Sequence, residues 1–298
     1  MSISRENSVI KMTWHLDEPD AHKLSTALED QTDELADVIG LWEAENGLWS
    51  VEAYLKAGQN TDQALEIVRP LAETLGVTLQ GYSHEVLSDR NWVAEGLKDL
   101  KPLSAGRFFI HGQHDRNERR GGGINIELDA GQAFGTGHHG TTLGCLIALD
   151  KVLKYQSPQN MLDLGCGTGI LAIAAARATS RPVLASDIDP IAVQVTRANA
   201  KINNVGPLIN AVTAVGTHHA VLQTRAPYDL IMANILAGPL MKLAPKITPL
   251  LTPKGRLILS GLLLHQAARI IARYRTQGLV LVSREELDGW ATLTLVHP

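Results

Sequence analysis

The sequence predicts two domains, a small α+β unit followed by a larger, layered α/β domain with a mainly parallel sheet. Three observations carry that prediction. Short apolar strand candidates alternate with helical patterns through the C-terminal half. One of those strands runs straight into a glycine-rich turn, Asp163 to Gly169, and then an alanine-rich helix. The first ninety or so residues hold two compact strand-helix-strand patterns of their own.

The bulk numbers allow this and exclude much else. At 298 residues and 45% hydrophobic, the chain has enough apolar material for two cores. A net charge of -4 lacks the basic footprint of phosphate-backbone binding, and 4% aromatic residues leave few platforms for bases. No direct nucleic-acid binding is expected. Two cysteines, Cys145 and Cys166, are too few for a disulfide framework or a cysteine zinc cluster. The opening MSISRENSVIKMTWHL has no long apolar core, and no stretch approaches a membrane span. The expectation is a protein of the cytoplasm without membrane association.

The N-terminal elements follow in order. Alternation from Ile10 to Leu16 predicts a strand, and Pro19 to Gln31 spaces Leu24 and Leu28 at helical intervals. Strands are expected around Val38 to Trp42 and Leu48 to Tyr54. Asn60 and Thr61 suit the cap of a second helix through Leu65, Val68, Leu71 and Leu75, with Gly76 ending it. Residues 1–90 thus suit a ferredoxin-like domain. No catalytic pattern stands out there; its role is either substrate recognition or stabilisation of the chain. Residues 91–123 are expected to be a linker, with a short helix near Trp92 and then the polar, basic loop HGQHDRNERRGGG. His111, His114, Arg116, Arg119 and Arg120 are expected to face solvent or an acidic partner.

Residues 124–298 form the predicted α/β domain. Strand candidates are Met161 to Leu164, Val183 to Ser186, Tyr228 to Ala233 and Arg256 to Ser260. Leu279 to Arg284 and Thr292 to His297, joined by a turn at Asp288-Gly289, predict an antiparallel hairpin at the sheet edge.

Within this domain, MLDLGCGTGILAIAAARA gives a nucleotide-type turn. Gly165, Gly167 and Gly169 permit a sharp bend and close ligand approach, and Ala172, Ala175 and Ala176 permit close helix packing. Ile170 stands where a dinucleotide fingerprint needs glycine. A carboxylate at Asp163 suits the cationic S-adenosylmethionine and would repel a pyrophosphate. Asp187 ends the next strand, placed to accept from ribose hydroxyls. S-adenosylmethionine is therefore the expected cofactor, and a purely structural turn is the alternative. Asp189 and Pro190 open the following helix as cap and first residue, with Ile191, Val195, Ala198 and Ile202 as its expected inward stripe. Asn234 closes the third strand candidate, beside the crevice where such sheets bind ligands.

Upstream, GQAFGTGHHGTTLGCLIALD joins a flexible entrance at Gly135 and Gly137 to a helix through Leu146 and Leu149. Thr141 and Thr142 are expected to cap it, and either hydroxyl suits the methionyl end of the cofactor. One of His138 and His139 suits substrate positioning. No metal is expected, since no partner residues supply zinc spacing.

The segments AFGTGHHGTT, DLGCGTGILAIAA, SDIDPIAV and MANILAGPL, in this order, closely resemble the ribosomal protein L11 methyltransferase family across nearly the whole chain. The resemblance implies a class I S-adenosylmethionine-dependent methyltransferase (Rossmann-like) domain preceded by an α+β ferredoxin-like domain. It also implies ribosomal protein L11 as protein substrate, methylated on lysine and N-terminal amines. Carried over by motif, the cofactor positions fall on Thr142, Gly165, Asp187 and Asn234, to which the turn itself adds Asp163 and Gly167. The loop of the first segment, with His139, and the NILA segment, with Asn234, border the reaction site. One departure stands out: the family's usual GTGTHPTT reads GTGHHGTT here, so a looser loop is expected at Gly140. A methyltransferase acting on the β subunit of electron transfer flavoprotein is the alternative; those enzymes typically lack so long an N-terminal region. A small-molecule methyltransferase is a third enzyme reading; a dehydrogenase and a non-enzymatic binding module are the remaining rivals, opposed by Ile170 and by the intact set of site residues.

Overall fold

The computed structural model describes residues 9–29, 31, 34–44, 47–56, 58–87, 102–119, 121–128 and 139–298. The expected helix near Trp92, together with Arg120, Gly135, Gly137 and His138, lies outside the described residues. Contacts divide the chain into two compact units, Met1–Trp92 and Val93–Pro298.

The first unit runs β1 (Val9–Leu16), α1 (Glu18–Glu29), β2 (Ala36–Glu43), β3 (Trp49–Leu55), α2 (Thr61–Leu75) and β4 (Ser83–Leu87). Its sheet has the order β2-β3-β1-β4 with antiparallel neighbours, the ferredoxin-like arrangement. Period-two alternation sorts β1: Met12, Trp14 and Leu16 are buried with Leu24, Leu28, Leu65 and Val68. On the other face Lys11 pairs across strands with Glu52 at 3.7 Å and Glu85 at 3.4 Å. α2 starts as its sequence dictates. Asn60 accepts from the Gln63 backbone at 2.9 Å while Gln63 accepts from the Asn60 backbone at 3.1 Å. Gly76 ends it in the left-handed conformation, at φ 67°. β4, short and exposed, was not expected from the pattern.

The second unit opens with a small sheet, β5 (Leu103–Ala105), β6 (Phe108–His111) and β7 (Ile124–Glu127), where a linker was expected. Phe108, Ile110 and Ile126 are buried in the main core, which is why this stretch folds. The basic loop between β6 and β7 is exposed, as expected, but is tied to the sheet through its arginines. His111 is fully buried, with Nδ1 2.8 Å from the Gly112 carbonyl and Nε2 accepting from Arg119 at 3.2 Å. Arg116 and Arg119 both donate to Glu127. Their acidic partner is thus this chain's own glutamate. The Arg116 hydrogen bond holds the Glu127 carboxyl below the usual carboxylate range.

The main domain then runs α3 (His139–Tyr155), β8 (Met161–Leu164), α4 (Ile170–Thr179), β9 (Val183–Asp187), α5 (Pro190–Ile202), β10 (Ile209–Thr213), α6 (Ala220–Arg225), β11 (Tyr228–Asn234), α7 (Ala237–Ile247), β12 (Leu251–Leu263), α8 (Ala267–Arg275), β13 (Val280–Leu287) and β14 (Trp290–Val296). Its sheet order among the described residues is β10-β9-β8-β11-β12-β14-β13, parallel from β10 to β12 and antiparallel beyond. The predicted hairpin is present, but its second strand, β14, is inserted next to β12 and leaves β13 at the edge.

Helices cover both faces and create two apolar layers, one with α3, α4 and α5, the other with α6, α7 and α8. Strand alternation decides which side chain joins which layer. Met161 packs in the first and Leu162 and Leu164 in the second. Asp163 therefore points to the α4 side, and its burial is a consequence of register.

Candidate active site

The chain order reverses between β8 and its neighbours β9 and β11, which opens a crevice at the carboxyl ends of those strands. Asp163, Asp187 and Asn234 stand at or near those ends. Asp163 lies opposite Ala185 on β9 and Met232 on β11, so the DLGCG turn begins beside both neighbours.

The turn is built from its glycines. Gly165, Gly167 and Gly169 have φ of 74°, 52° and 79°, a region closed to most side chains. A Cβ on Gly165 would also lie 2.3 Å from Ile235 Cγ2. The Gly165 and Cys166 N–H groups donate to the Ser186 carbonyl at 2.8 and 3.0 Å. Gly167 N–H donates to Asp187 Oδ2 at 2.8 Å, and Asp189 N–H donates to Asp187 Oδ1 at 3.0 Å. Each Asp187 oxygen keeps a further lone pair for a ligand hydroxyl. Asp189 is a helix cap, as expected: it accepts from Ile191 N–H at 2.8 Å.

The inward face of α5 departs from expectation. Ile191 and Ile202 are exposed, while Ala192, Val193, Thr196, Asn199 and Ala200 are buried. Thr196 donates to the Gly167 carbonyl at 2.9 Å, and Asn199 donates to the Thr168 carbonyl at 2.9 Å. The polar residues turn inward because the glycine turn leaves carbonyls there that require donors. Their spacing, Thr196, Asn199 and Asn203 on one helical face, was the available signal.

Asp163 is 1% exposed and accepts from Ala172 N–H at 2.9 Å through Oδ2. Its Oδ1 is buried without a partner. Burial pushes this carboxyl up to about 7, against the Ala172 hydrogen bond and with the help of nearby Asp187. Asn234 donates to Thr141 Oγ1 across 3.4 Å, and its Oδ1 is also buried without a partner. Two orphaned acceptors at adjoining strand ends are costly in a folded chain. A ligand carrying ammonium and hydroxyl donors would satisfy them, so this chemistry fits S-adenosylmethionine.

α3 begins at His139, two residues earlier than the expected cap. Thr141 and Thr142 accordingly sit inside its first turn, both buried. The His139 side chain lies outside the described part of the structure. Gly140 is buried against the β13–β14 turn, where a Cβ would lie 2.8 Å from the Leu287 carbonyl oxygen. The loop before it, where a looser chain was expected, lies outside the described residues. No group of three or more His, Cys, Asp or Glu side chains among the described residues is arranged for a metal. No helix among them is long and apolar enough to cross a membrane.

A sheet of this order, with β14 reversed beside β12 and a glycine turn after the first central strand, defines a class I S-adenosylmethionine-dependent methyltransferase. The chain matches the family model for ribosomal protein L11 methyltransferase (PrmA) over residues 2–298, and it belongs to that family. It is 44% identical over 278 residues to the ribosomal protein L11 methyltransferase of Mesorhizobium japonicum, covering 93% of this chain and 96% of the relative. It is 46% identical over 255 residues to that of Rhizobium meliloti, covering 84% and 85%. Among solved structures, the ribosomal protein L11 methylase of Lactobacillus delbrueckii subsp. bulgaricus superposes with a TM-score of 0.59 at 25% identity. That match covers 65% of this chain and 97% of that one.

Proposed function

We propose that this chain methylates lysine side-chain and N-terminal amines of ribosomal protein L11 in the cytoplasm, with S-adenosylmethionine as donor. The observation that carries the reading is family membership spanning both units, joined to unpartnered acceptors at the crevice. In this reading the first unit, extending to about residue 90, recognises the protein substrate.

The cofactor supplies an electrophilic methyl group on a cationic sulfur. The chain's own part is alignment and electrostatics. Gly165 and Gly167 bring backbone close to the ligand. Asp163 and Asp187 accept from its amine and ribose hydroxyls, and Thr142 borders its methionyl end. Asn234, through its free Oδ1, and His139 orient the incoming nitrogen in line with the methyl carbon. A lysine amine normally titrates near about 10.4, so it must arrive neutral or lose its proton by desolvation. None of these residues is assigned as a general base.

The test is intact-mass analysis of unmethylated L11 after incubation with the protein and cofactor, followed by peptide mapping. Increments of one methylene unit on amines, absent without cofactor, are expected. L11 left unchanged by a protein that binds S-adenosylmethionine would overturn the substrate and redirect the search to other proteins, including the flavoprotein β subunit.

A further inference from the structure

The turn between β13 and β14 bears on the first turn of α3, where the candidate site begins. A Cβ on Gly140 would lie 2.8 Å from the Leu287 carbonyl oxygen, 3.0 Å from Trp290 Cδ1 and 3.3 Å from Asp288 Cβ. One helical turn on, a Cβ on Gly144 would lie 2.3 Å from Thr292 Oγ1. Two glycines four residues apart therefore give α3 a flat face against the hairpin. The hairpin in turn is fixed to the sheet. Thr292 Oγ1 and Ser260 Oγ share a 2.8 Å hydrogen bond, Ser260 donates to the Ala291 carbonyl at 3.1 Å, and the Gly289 carbonyl accepts from Leu264 N–H at 3.1 Å.

The residue after Gly140 is Thr141, whose hydroxyl accepts from Asn234 at 3.4 Å, the outer edge of hydrogen bonding. A small displacement of the first turn of α3 breaks or tightens that link. We propose that the β13–β14 turn is a positioning element for methyl transfer, with Trp290 its positioning residue, acting through Gly140 to hold Thr141 against Asn234. This rests on Asn234 bordering the reacting amine in the reading above.

The experiment uses the full-length chain, unmethylated L11 and S-adenosylmethionine. Gly140→Ala and Trp290→Ala are expected to lower kcat by about tenfold or more. Cofactor Kd, read by calorimetry, should stay within about threefold. Trp290→Phe should recover most of the loss. In an Asn234→Ala background, neither substitution should lower kcat further, because the link it disturbs is already gone. Alanine is the better helix former, so a loss at Gly140 reflects the contact and not helix propensity. Unchanged kcat, or equal losses in both backgrounds, would overturn the inference. If Gly140→Ala fails to fold, the Trp290 pair supports the same comparison. Absence of transfer by the unsubstituted protein would overturn the functional reading and this inference with it; transfer without the variant effects would overturn this inference alone.

Discussion

Asp163 joins stability to binding within a single side chain. Its carboxyl titrates near 7 in the folded protein against 3.8 as a free side chain, chiefly because it is buried. The folded state therefore holds that proton more tightly than the unfolded state does. The resulting stability is fully present below about pH 4 and is lost as pH rises through 7. Asp163→Asn should consequently be more stable than the parent at pH 8 and nearly equal to it at pH 4, as read by urea melts. The same substitution should weaken cofactor binding by about tenfold or more at pH 8, where a charge-assisted hydrogen bond is lost. Equal melts at pH 8 would show that the carboxyl is not desolvated as its burial demands. The two buried thiols are a simpler case. Burial pushes Cys145 up to about 12 and raises Cys166 well above its ordinary value, so neither is a nucleophile at neutral pH.

At the scale of elements, the glycine turn and α5 form one unit. Gly165→Ala adds a Cβ onto Ile235 at a positive φ and is expected to abolish cofactor binding, measured by calorimetry. Thr196→Val keeps the shape but removes the donor to the part-buried Gly167 carbonyl, at a cost of about 1 kcal/mol in denaturant unfolding. An unchanged midpoint would show the bond to be dispensable. The sequence made the turn legible because its glycines, the preceding strand and the following helix are contiguous. It misled on α5 because apolar periodicity favoured Ile191 and Ile202, whereas the turn's carbonyls demand Thr196 and Asn199. β10 carries little signal for a related reason: INAVT is five residues long at a sheet edge, with Asn210 and Thr213 exposed. The small sheet β5–β7 was hidden by the basic loop inside it, whose arginines find their carboxylate at Glu127. Gly140 illustrates the limit of local reading, since its role is set by residues about 150 positions away.

For the whole molecule, the two units have separate apolar clusters, the first confined to residues 12–77 and the others to 105–295. A chain beginning at Val93 is expected to fold and to bind S-adenosylmethionine with near-parental affinity by calorimetry. Its kcat/KM for L11 should fall steeply, because recognition is assigned to the missing unit. Parental kcat/KM from the fragment would remove that assignment. The inserted strand β14 has a further consequence, for the order of assembly. β13 is made first, yet its sheet neighbour is β14, so it has no place on the sheet until β14 has docked on β12. The edge is completed backwards, and the final pairing waits for a contact of longer sequence separation. Core truncations in β14, such as Leu293→Ala, should slow refolding in stopped-flow experiments, whereas changes in β13 should chiefly hasten unfolding.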